Sequence, residues 1–221
     1  AILGDRVRMG KHYADQGVFI RSMATRGSHG GLAIRAQDFA DIFDAAGFDI
    51  IIYETVGVGQ VELDVAKAAD TTLVVLVPES GDDIQAMKAG LMEIADLFIV
   101  NKADRQGANQ AFAQLQSMLE MRPSRAGAWS PQVIKTSAIQ GEGLVDLCTA
   151  LREHQSFLES KGLIRQNFRE RVSAKILTHI EENISRRFWT SKKHDLLKQA
   201  LDIENIQDIV PGEIVRRLLD R

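Results

Sequence analysis

A short polar segment, Asn101-Lys102-Ala103-Asp104, directly follows an apolar run at 97–100 and carries side chains that fit a guanine base. The Asp104 carboxylate can accept hydrogen bonds from both N1–H and the 2-amino group of guanine, whereas adenine offers no such pair of donors. Asn101 would tie the loop to neighbouring backbone and to the base, and the Lys102 stem would cover the face of the base. Taken alone, the segment also fits a solvated turn.

A second segment, Lys135-Thr136-Ser137-Ala138, ends the next apolar run and supports the same prediction. The backbone N–H groups of Ser137 and Ala138 are predicted to meet the O6 oxygen of guanine, a contact that the amino group of adenine would not accept. Because the carboxyl ends of parallel strands lie at one edge of a sheet, the two segments are expected to face one base.

A glycine-rich segment, residues 54–60, is the candidate for the phosphate end of a nucleotide. Glu54 follows an apolar run, where a carboxylate can hold Mg²⁺ or one of its waters, and Gly57 lets a backbone N–H approach the terminal phosphate. Aspartate is the usual residue at such a position, so the longer Glu54 predicts a water-mediated or altered metal contact. The competing interpretation is a glycine-rich turn that enters a helix.

The loop Gly-x-x-x-x-Gly-Lys-Ser/Thr, which cradles nucleotide phosphates in many such sites, occurs nowhere in the 221 residues. The sequence also begins at Ala1 rather than at a methionine. We therefore expect a chain that is truncated before residue 1, with the phosphate-binding strand, loop and helix upstream. A naturally degenerate nucleotide site is the alternative.

Short apolar runs alternate with longer amphipathic stretches up to about residue 155, which predicts an α/β fold. The runs are rich in β-branched residues, and the central ones lack polar alternation, as expected for strands buried on both faces of a parallel sheet. The order is that of a doubly wound, mostly parallel sheet. The predicted strands are 18–20, 49–53, 72–77, 97–100 and 132–135, and the predicted helices are 38–46, 82–95, 109–121 and 143–154.

After about residue 155 the pattern is helical only. An amphipathic helix is predicted over 166–189, with shorter helices over 192–201 and 211–219, the last starting at Pro211, a residue favoured in a first helical turn. The chain is thus predicted to divide into a sheet domain, residues 1–155, and an all-α extension, residues 156–221. That extension would pack on the sheet domain, on another subunit, or on both.

Composition excludes several classes of function. A formal charge of −3 and a pI of about 6.0 give no electrostatic footprint for nucleic acid or for an anionic membrane surface. The single cysteine, Cys148, cannot form an intrachain disulfide, and the five histidines show no metal-ligand spacing. This use of cysteine fits a reducing, cytoplasmic setting. No apolar run reaches the roughly 20 residues that a membrane span needs.

In these segments the sequence resembles the MeaB-like G-protein chaperones of cobalamin-dependent acyl-CoA mutases, a family also labelled ArgK or LAO/AO transport kinases. The resemblance covers most of residues 1–155, and it implies a P-loop NTPase-type fold and a GTPase that binds GTP, GDP and Mg²⁺. It is carried by residues 1–9, 18–27, 54–60, 78–90 and 95–104.

The resemblance also implies roles for individual residues. Asp5 and Glu54 match two acidic positions that contact Mg²⁺ or its waters. Gln85 and Lys88 match residues of a mobile loop implicated in GTP hydrolysis, and Glu54 is counted with them as catalytic; a lysine can stabilise developing phosphoryl charge and a glutamine can orient water. By spacing alone, Gln85 and Lys88 form only an exposed polar helix face. The helices after residue 155 resemble the dimerisation arm of the family more loosely.

The leading hypothesis is a homodimeric GTPase that gates cobalamin loading and protects methylmalonyl-CoA mutase or a related mutase. The absence of the phosphate loop leaves open whether the chain as it stands hydrolyses GTP. One competing hypothesis is an interaction module that dimerises or docks without holding phosphates. A nickel-insertion metallochaperone is disfavoured by the scarcity of His and Cys, and a protein kinase by the lack of a kinase catalytic-loop signature.

Overall fold

A computed structural model of the chain describes residues 9–23, 36–55, 68–78, 91–122, 127–202 and 209–220. Backbone packing divides the chain into two units, residues 1–167 and residues 168–221. The first unit contains a parallel sheet, and the described residues of the second unit form helices and their connections.

Three of the predicted strands are confirmed, and they form one sheet in the first unit. Strand β1 is Leu73–Leu76, β2 is Leu97–Val100 and β3 is Gln132–Lys135. All pairs are parallel in the order β1-β2-β3, and the register aligns Val74 with Phe98 and Phe98 with Val133. Every residue of the central strand β2 is buried, as expected from its unbroken apolar sequence.

The helices of the first unit agree with the predicted ones where they can be compared. Helix α1 spans Ala36–Ala45, α2 Leu91–Ile94, α3 Ala108–Glu120 and α4 Leu144–Ser160. The predicted helix over 82–95 can be compared only at its end, because residues 79–90 lie outside the described ranges. Helix α4 continues beyond the predicted end at residue 154, since Leu158, one turn after His154, continues its buried face.

Helices cover both faces of the sheet. The buried residues of α3 recur at helical spacing, Ala108, Ala111 and Leu115, and pack on the face that carries Phe98 and Val100. On the opposite face, Ala150 of α4 packs against Leu97 and Ile134. Burial of this apolar surface on two sides holds β2 in place, and so fixes the position of the loop that follows it.

Two of the predicted strands are wrong. Residues 18–20 and 49–53 adopt no regular secondary structure and pair with none of the strands in the described ranges. A strand needs hydrogen bonds from a neighbour, and Ile50 and Ile52 are instead 77% and 83% exposed. Phe19 packs its ring on Phe43 of α1, with 5.1 Å between centroids, so residues 18–20 are held by aromatic contacts rather than by a sheet ladder.

A buried polar cluster lies at the amino ends of β1 and β2. His154 of α4 is 1% exposed, with Nδ1 2.9 Å from the Thr71 hydroxyl and Nε2 3.4 Å from Asp96 Oδ1. The Thr72 N–H donates to Asp96 Oδ2 at 2.8 Å, and the Trp129 indole N–H donates to the Asp96 carbonyl at 2.8 Å. A neutral His154 that accepts from Thr71 and donates to Asp96 satisfies every one of these contacts.

The second unit is built from helices, as predicted. Helix α5, Leu163–Phe188, begins in the first unit and is followed by α6, Ser191–Leu201, and α7, Pro211–Leu219. The Thr190 hydroxyl caps α6 by accepting the Lys193 N–H at 3.3 Å, and Pro211 stands in the first turn of α7 as predicted. Among the described residues, no helix is long and apolar enough to cross a membrane.

Apolar surface remains exposed in this second unit. None of the residues of α5 is buried, and Val172, Ile176, Ile180 and Ile184 form an apolar stripe along it that is between 39% and 62% exposed. Helices α6 and α7 border an apolar groove of about 420 Å³. Surfaces of this kind are typical of contacts with another protein or another copy of the same chain.

Candidate functional site

The two segments that the sequence selects lie side by side at the carboxyl edge of the sheet. The loop after β2 is fixed at its start because the Asn101 N–H donates to the Leu76 carbonyl at 2.8 Å. The loop after β3 is joined to it twice: the Thr136 N–H donates to the Val100 carbonyl at 2.9 Å, and the Ala103 N–H donates to the Thr136 carbonyl at 2.9 Å. The sheet ladder therefore continues into the loops and sets their separation.

The Asn101 side chain links the two loops. Its Oδ1 accepts hydrogen bonds from the Thr136 hydroxyl and from the Ala138 N–H, both at 3.2 Å. The predicted tie between Asn101 and neighbouring backbone is thus present. Because the amide oxygen already has two donors, the amide NH₂ is the group that Asn101 can offer to a ligand.

Asp104 is held by a hydroxyl of the opposite loop. The Ser137 Oγ, in a residue that is 1% exposed, donates to Asp104 Oδ1 at 2.7 Å, while the Asp104 side chain itself is exposed. This hydrogen bond keeps the pKa of the Asp104 carboxyl below its ordinary value. The backbone N–H of Asp104 and the positive charges of Arg105 and Lys102 lower that pKa as well. Asp104 is therefore an ionised, exposed acceptor at neutral pH.

Lys102 is the non-glycine residue with a positive φ, 57°, in the described part of the chain. A left-handed backbone costs a residue with a Cβ roughly 1–2 kcal/mol, so the surrounding contacts must impose it. It turns the chain so that the Ala103 N–H reaches Thr136 and the Lys102 carbonyl accepts the Arg105 N–H at 2.9 Å. Strain of this kind is concentrated at functional sites. The contact of the Lys102 stem with a base stays a prediction.

The Ser137 N–H has an acceptor within its own loop. It donates to the Glu142 carbonyl at 3.0 Å in an antiparallel bridge, and its contact with O6 of a base stays a prediction. Ser137 also contributes through its hydroxyl, by orienting Asp104. The Ala138 N–H also has an acceptor, the Asn101 side-chain oxygen at 3.2 Å, and its contact with O6 of guanine stays a prediction.

Sequence reasoning missed the contributions of Thr136 and of the Ser137 hydroxyl. Both residues are buried, at 4% and 1% exposure, which is unusual for polar side chains at the end of a strand. The available signal was their position directly after β3, since buried hydroxyls need partners and Asn101 and Asp104 are the polar residues of the neighbouring loop.

Of the residues predicted for the phosphate and metal end of the site, only Glu54 lies in the described part of the chain. Asp5, Gly57, Gln85 and Lys88 lie outside the described residues. Glu54 is described, and it is exposed in a stretch without regular secondary structure. Within the described ranges no group of three or more His, Cys, Asp or Glu side chains comes together as a metal site.

Comparison with known proteins identifies the family that the sequence matches. The sequence model of a family described as "Methylmalonyl Co-A mutase-associated GTPase MeaB" matches residues 1–193. A protein of Pyrococcus abyssi, whose name marks it as a candidate GTPase, is 44% identical over 213 residues, which cover 96% of this chain and 66% of that protein.

Bacterial and mammalian relatives are also similar. The Escherichia coli GTPase ArgK is 32% identical over 88% of this chain and 60% of its own length. The mitochondrial methylmalonic aciduria type A homolog of Mus musculus is 31% identical over 92% of this chain and 49% of its own length. The chain therefore spans between about half and two thirds of these relatives.

A solved structure of an LAO/AO transport system kinase has the same fold. It superposes with a TM-score of 0.65 at 26% sequence identity, covering 84% of this chain and 61% of the other. This likeness confirms the predicted fold class, a P-loop NTPase-type α/β sheet followed by a helical part.

Proposed function

Because the chain belongs to the MeaB family of methylmalonyl-CoA mutase-associated GTPases, we propose that its carboxyl-edge loops bind the base of GTP and GDP and that the whole protein hydrolyses GTP. The observation that carries this proposal is the pair of links between the loops, from Asn101 to Ala138 and from Ser137 to Asp104. These links hold the Asn101 side chain and the ionised Asp104 carboxylate at the same edge of the sheet, where the Asn101 amide NH₂ is available as a donor and the carboxylate as an acceptor. Guanine carries the complementary groups, N7 and O6 as acceptors and N1–H and the 2-amino group as donors.

The selection of guanine over adenine follows from the charge of Asp104. Guanine would donate two hydrogen bonds to the carboxylate, whereas adenine presents an acceptor at N1 and would leave the carboxylate unpaired. A charged acceptor that loses its water without gaining a donor is costly, so the penalty for the wrong base exceeds the gain from the right one. The low pKa of Asp104 keeps this group charged across the physiological range.

The phosphate end of the site remains a proposal that depends on residues outside the described ranges. Mg²⁺ is assigned to Asp5 and Glu54, and the hydrolytic step to Gln85 and Lys88 with Glu54, on the resemblance alone. Gly57 would bring a backbone N–H to the terminal phosphate. When bound, Mg²⁺ would neutralise phosphate charge.

The physiological partner that we propose is a cobalamin-dependent acyl-CoA mutase of the methylmalonyl-CoA mutase type. The association of the family with methylmalonyl-CoA mutase and the name of the mouse relative support this assignment. In this proposal the mutase binds the GTP and GDP states of the GTPase with different affinity. GTP hydrolysis can then gate cobalamin loading and protect the mutase. A cytoplasmic setting accompanies the proposal, and the exposed free thiol of Cys148 fits a reducing compartment.

GTP turnover by the whole protein, with and without its mutase, tests the proposal. We expect the mutase to raise the turnover rate at saturating GTP, and a catalytically inert protein of similar size and charge to leave it unchanged. Turnover that is the same in both mixtures would contradict the chaperone assignment, and absence of turnover in both would contradict the GTPase assignment.

We also propose that the helical unit forms a homodimer contact, with residues 156–221 as the dimerisation arm. The exposed apolar stripe of α5 supports this, since side chains such as Ile176, 53% exposed, and Ile184, 62% exposed, are stabilised by burial against a second copy. Sedimentation at micromolar concentration should show a dimer. A double substitution, Ile176→Glu with Ile184→Glu, should produce monomers, while the charge-matched control Ser173→Glu with Thr178→Glu should not.

A further inference from the structure

Gly143 lies closer to a neighbouring backbone than a residue with a side chain could. It immediately precedes α4 and has φ +71°. A Cβ atom added there would stand 2.0 Å from the Lys135 carbonyl oxygen, 3.0 Å from the Lys135 carbonyl carbon and 3.2 Å from the Thr136 Cα. The start of α4 is thus seated directly on the end of β3, the point from which the guanine loop emerges.

The loop between these two points is closed by its own hydrogen bonds. The Ser137 N–H donates to the Glu142 carbonyl at 3.0 Å, and the Gly141 N–H donates to the Ser137 carbonyl at 2.8 Å. Ser137 is therefore held through both its N–H and its carbonyl by residues that lead directly into Gly143. Its hydroxyl then donates to Asp104 at 2.7 Å. The chain of contacts runs from Gly143 through Ser137 to the carboxylate proposed to read the base.

We propose that Gly143 is a positioning residue for guanine selectivity: its close approach to Lys135 sets the place of Ser137, and Ser137 sets the place of Asp104. The proposal rests on the proposed guanine site and adds a residue that does not touch the base. Glycine is needed there for two separate reasons, the left-handed backbone and the absence of a Cβ beside a carbonyl.

The expected consequence of a methyl group at Gly143 follows from distances. Carbon and oxygen atoms do not approach within about 3 Å without repulsion, so the α4 start and the β3 end must separate by roughly 1 Å. The neighbour is backbone and cannot rotate away as a side chain could. A hydrogen bond of 2.7 Å that is lengthened by 1 Å is no longer one. Asp104 then loses the donor that orients it.

Another glycine of the chain provides a matched control. Gly162 has φ +67° between α4 and α5, and a Cβ there would meet nothing within 4 Å. Substitution of Gly162 by alanine therefore imposes the same left-handed backbone strain without the collision, and separates the two effects.

The test is the ratio of dissociation constants for IDP and GDP, measured on the full 221-residue chain by ligand-observed NMR at millimolar nucleotide. IDP lacks the 2-amino group, so the ratio reports the contact with Asp104. A loss of folded protein lowers the binding signals of IDP and GDP together and leaves the ratio of their dissociation constants unchanged. We expect wild type to prefer GDP by about tenfold, as for one hydrogen bond to a charged group. Gly143→Ala should bring the ratio to within about threefold of one, while Gly162→Ala keeps the wild-type ratio.

Ser137→Ala removes the same link without a collision, and keeps the test decisive if Gly143→Ala does not fold. It should lower the ratio as Gly143→Ala does, and the double variant should show no further fall. A wild-type ratio in Gly143→Ala, or in Ser137→Ala, overturns the positioning role and leaves the guanine site intact. A ratio near one in the wild-type chain overturns the guanine site itself and the positioning role with it.

Discussion

The buried histidine at the amino edge of the sheet predicts a pH-dependent stability. Burial away from water lowers the pKa of His154, and the nearby negative charges of Asp96 and Asp70 oppose this shift without cancelling it. Folding therefore favours the neutral form. The stability contributed by His154 is fully present above the unfolded pKa of about 6.5 and is lost as the pH falls below it, because the unfolded chain then binds a proton that the folded chain does not.

The size of the effect follows from proton linkage. His154 is 1% exposed and its Nδ1 lies 2.9 Å from the Thr71 hydroxyl, so protonation of Nδ1 requires the hydrogen bond that it accepts from Thr71 to be broken. If the folded protein stays neutral at this site, the loss between pH 7.5 and pH 5.5 is at most about 1.4 kcal/mol. Burial raises the pKa of Asp96, and that shift stabilises the folded chain as the pH falls, so the net loss of stability is smaller than this upper limit.

Urea unfolding of wild type and His154→Gln at pH 7.5 and pH 5.5 measures this directly. Glutamine cannot titrate, yet its amide can still accept from Thr71 and donate to Asp96, so the variant should lose the pH dependence that His154 provides. The control His194→Gln changes an exposed histidine and should keep it. Equal pH dependence in wild type and His154→Gln would refute the assignment of a neutral, buried His154.

Two further substitutions test the core and the base-binding loops. Leu115→Ala removes a fully buried side chain between α3 and the sheet and should lower the free energy of unfolding by about 2–5 kcal/mol in urea, whereas the exposed Gln116→Ala should change it by less than about 0.5 kcal/mol. Thr136→Val keeps the shape of a 4% exposed residue but removes the hydroxyl that donates to Asn101, so GDP affinity in NMR titration should fall about fivefold with little change in fold. Asn101→Ala should weaken GDP binding further. Equal GDP affinities in wild type, Thr136→Val and Asn101→Ala would contradict the bridging role of Asn101.

The central strand and the two loops at its edge could be predicted because local sequence determines them. Leu97–Val100 has no polar residue, and such a run fits a strand covered on both faces. Parallel order places the ends of β2 and β3 at one edge, so the nearness of Asn101 to Ala138 follows from topology. The chemistry of Asp104 follows from its type and from that position.

The sequence could not predict which donors and acceptors pair within the site. The Ser137 N–H donates to the Glu142 carbonyl, next to the point where Gly143 packs against the Lys135 backbone. Contacts between two backbones of this kind produce no periodic pattern in the sequence. His154 and Thr71 are 83 residues apart in the chain and meet only after the sheet has formed. Strand propensity also gave a wrong prediction for residues 49–53, which form no strand. A β-branched run becomes a strand only where a neighbouring strand pairs with it.

The central claim is that Asp104 reads the guanine base, and exchange of its carboxylate for an amide tests it most directly. Asp104→Asn replaces one acceptor by a donor, which suits xanthine, whose O2 oxygen stands where guanine has its 2-amino group. NMR titration of the 221-residue chain with GDP and XDP should show a preference for GDP in wild type and a preference for XDP in Asp104→Asn. An unchanged order of the two affinities in the variant would contradict the account.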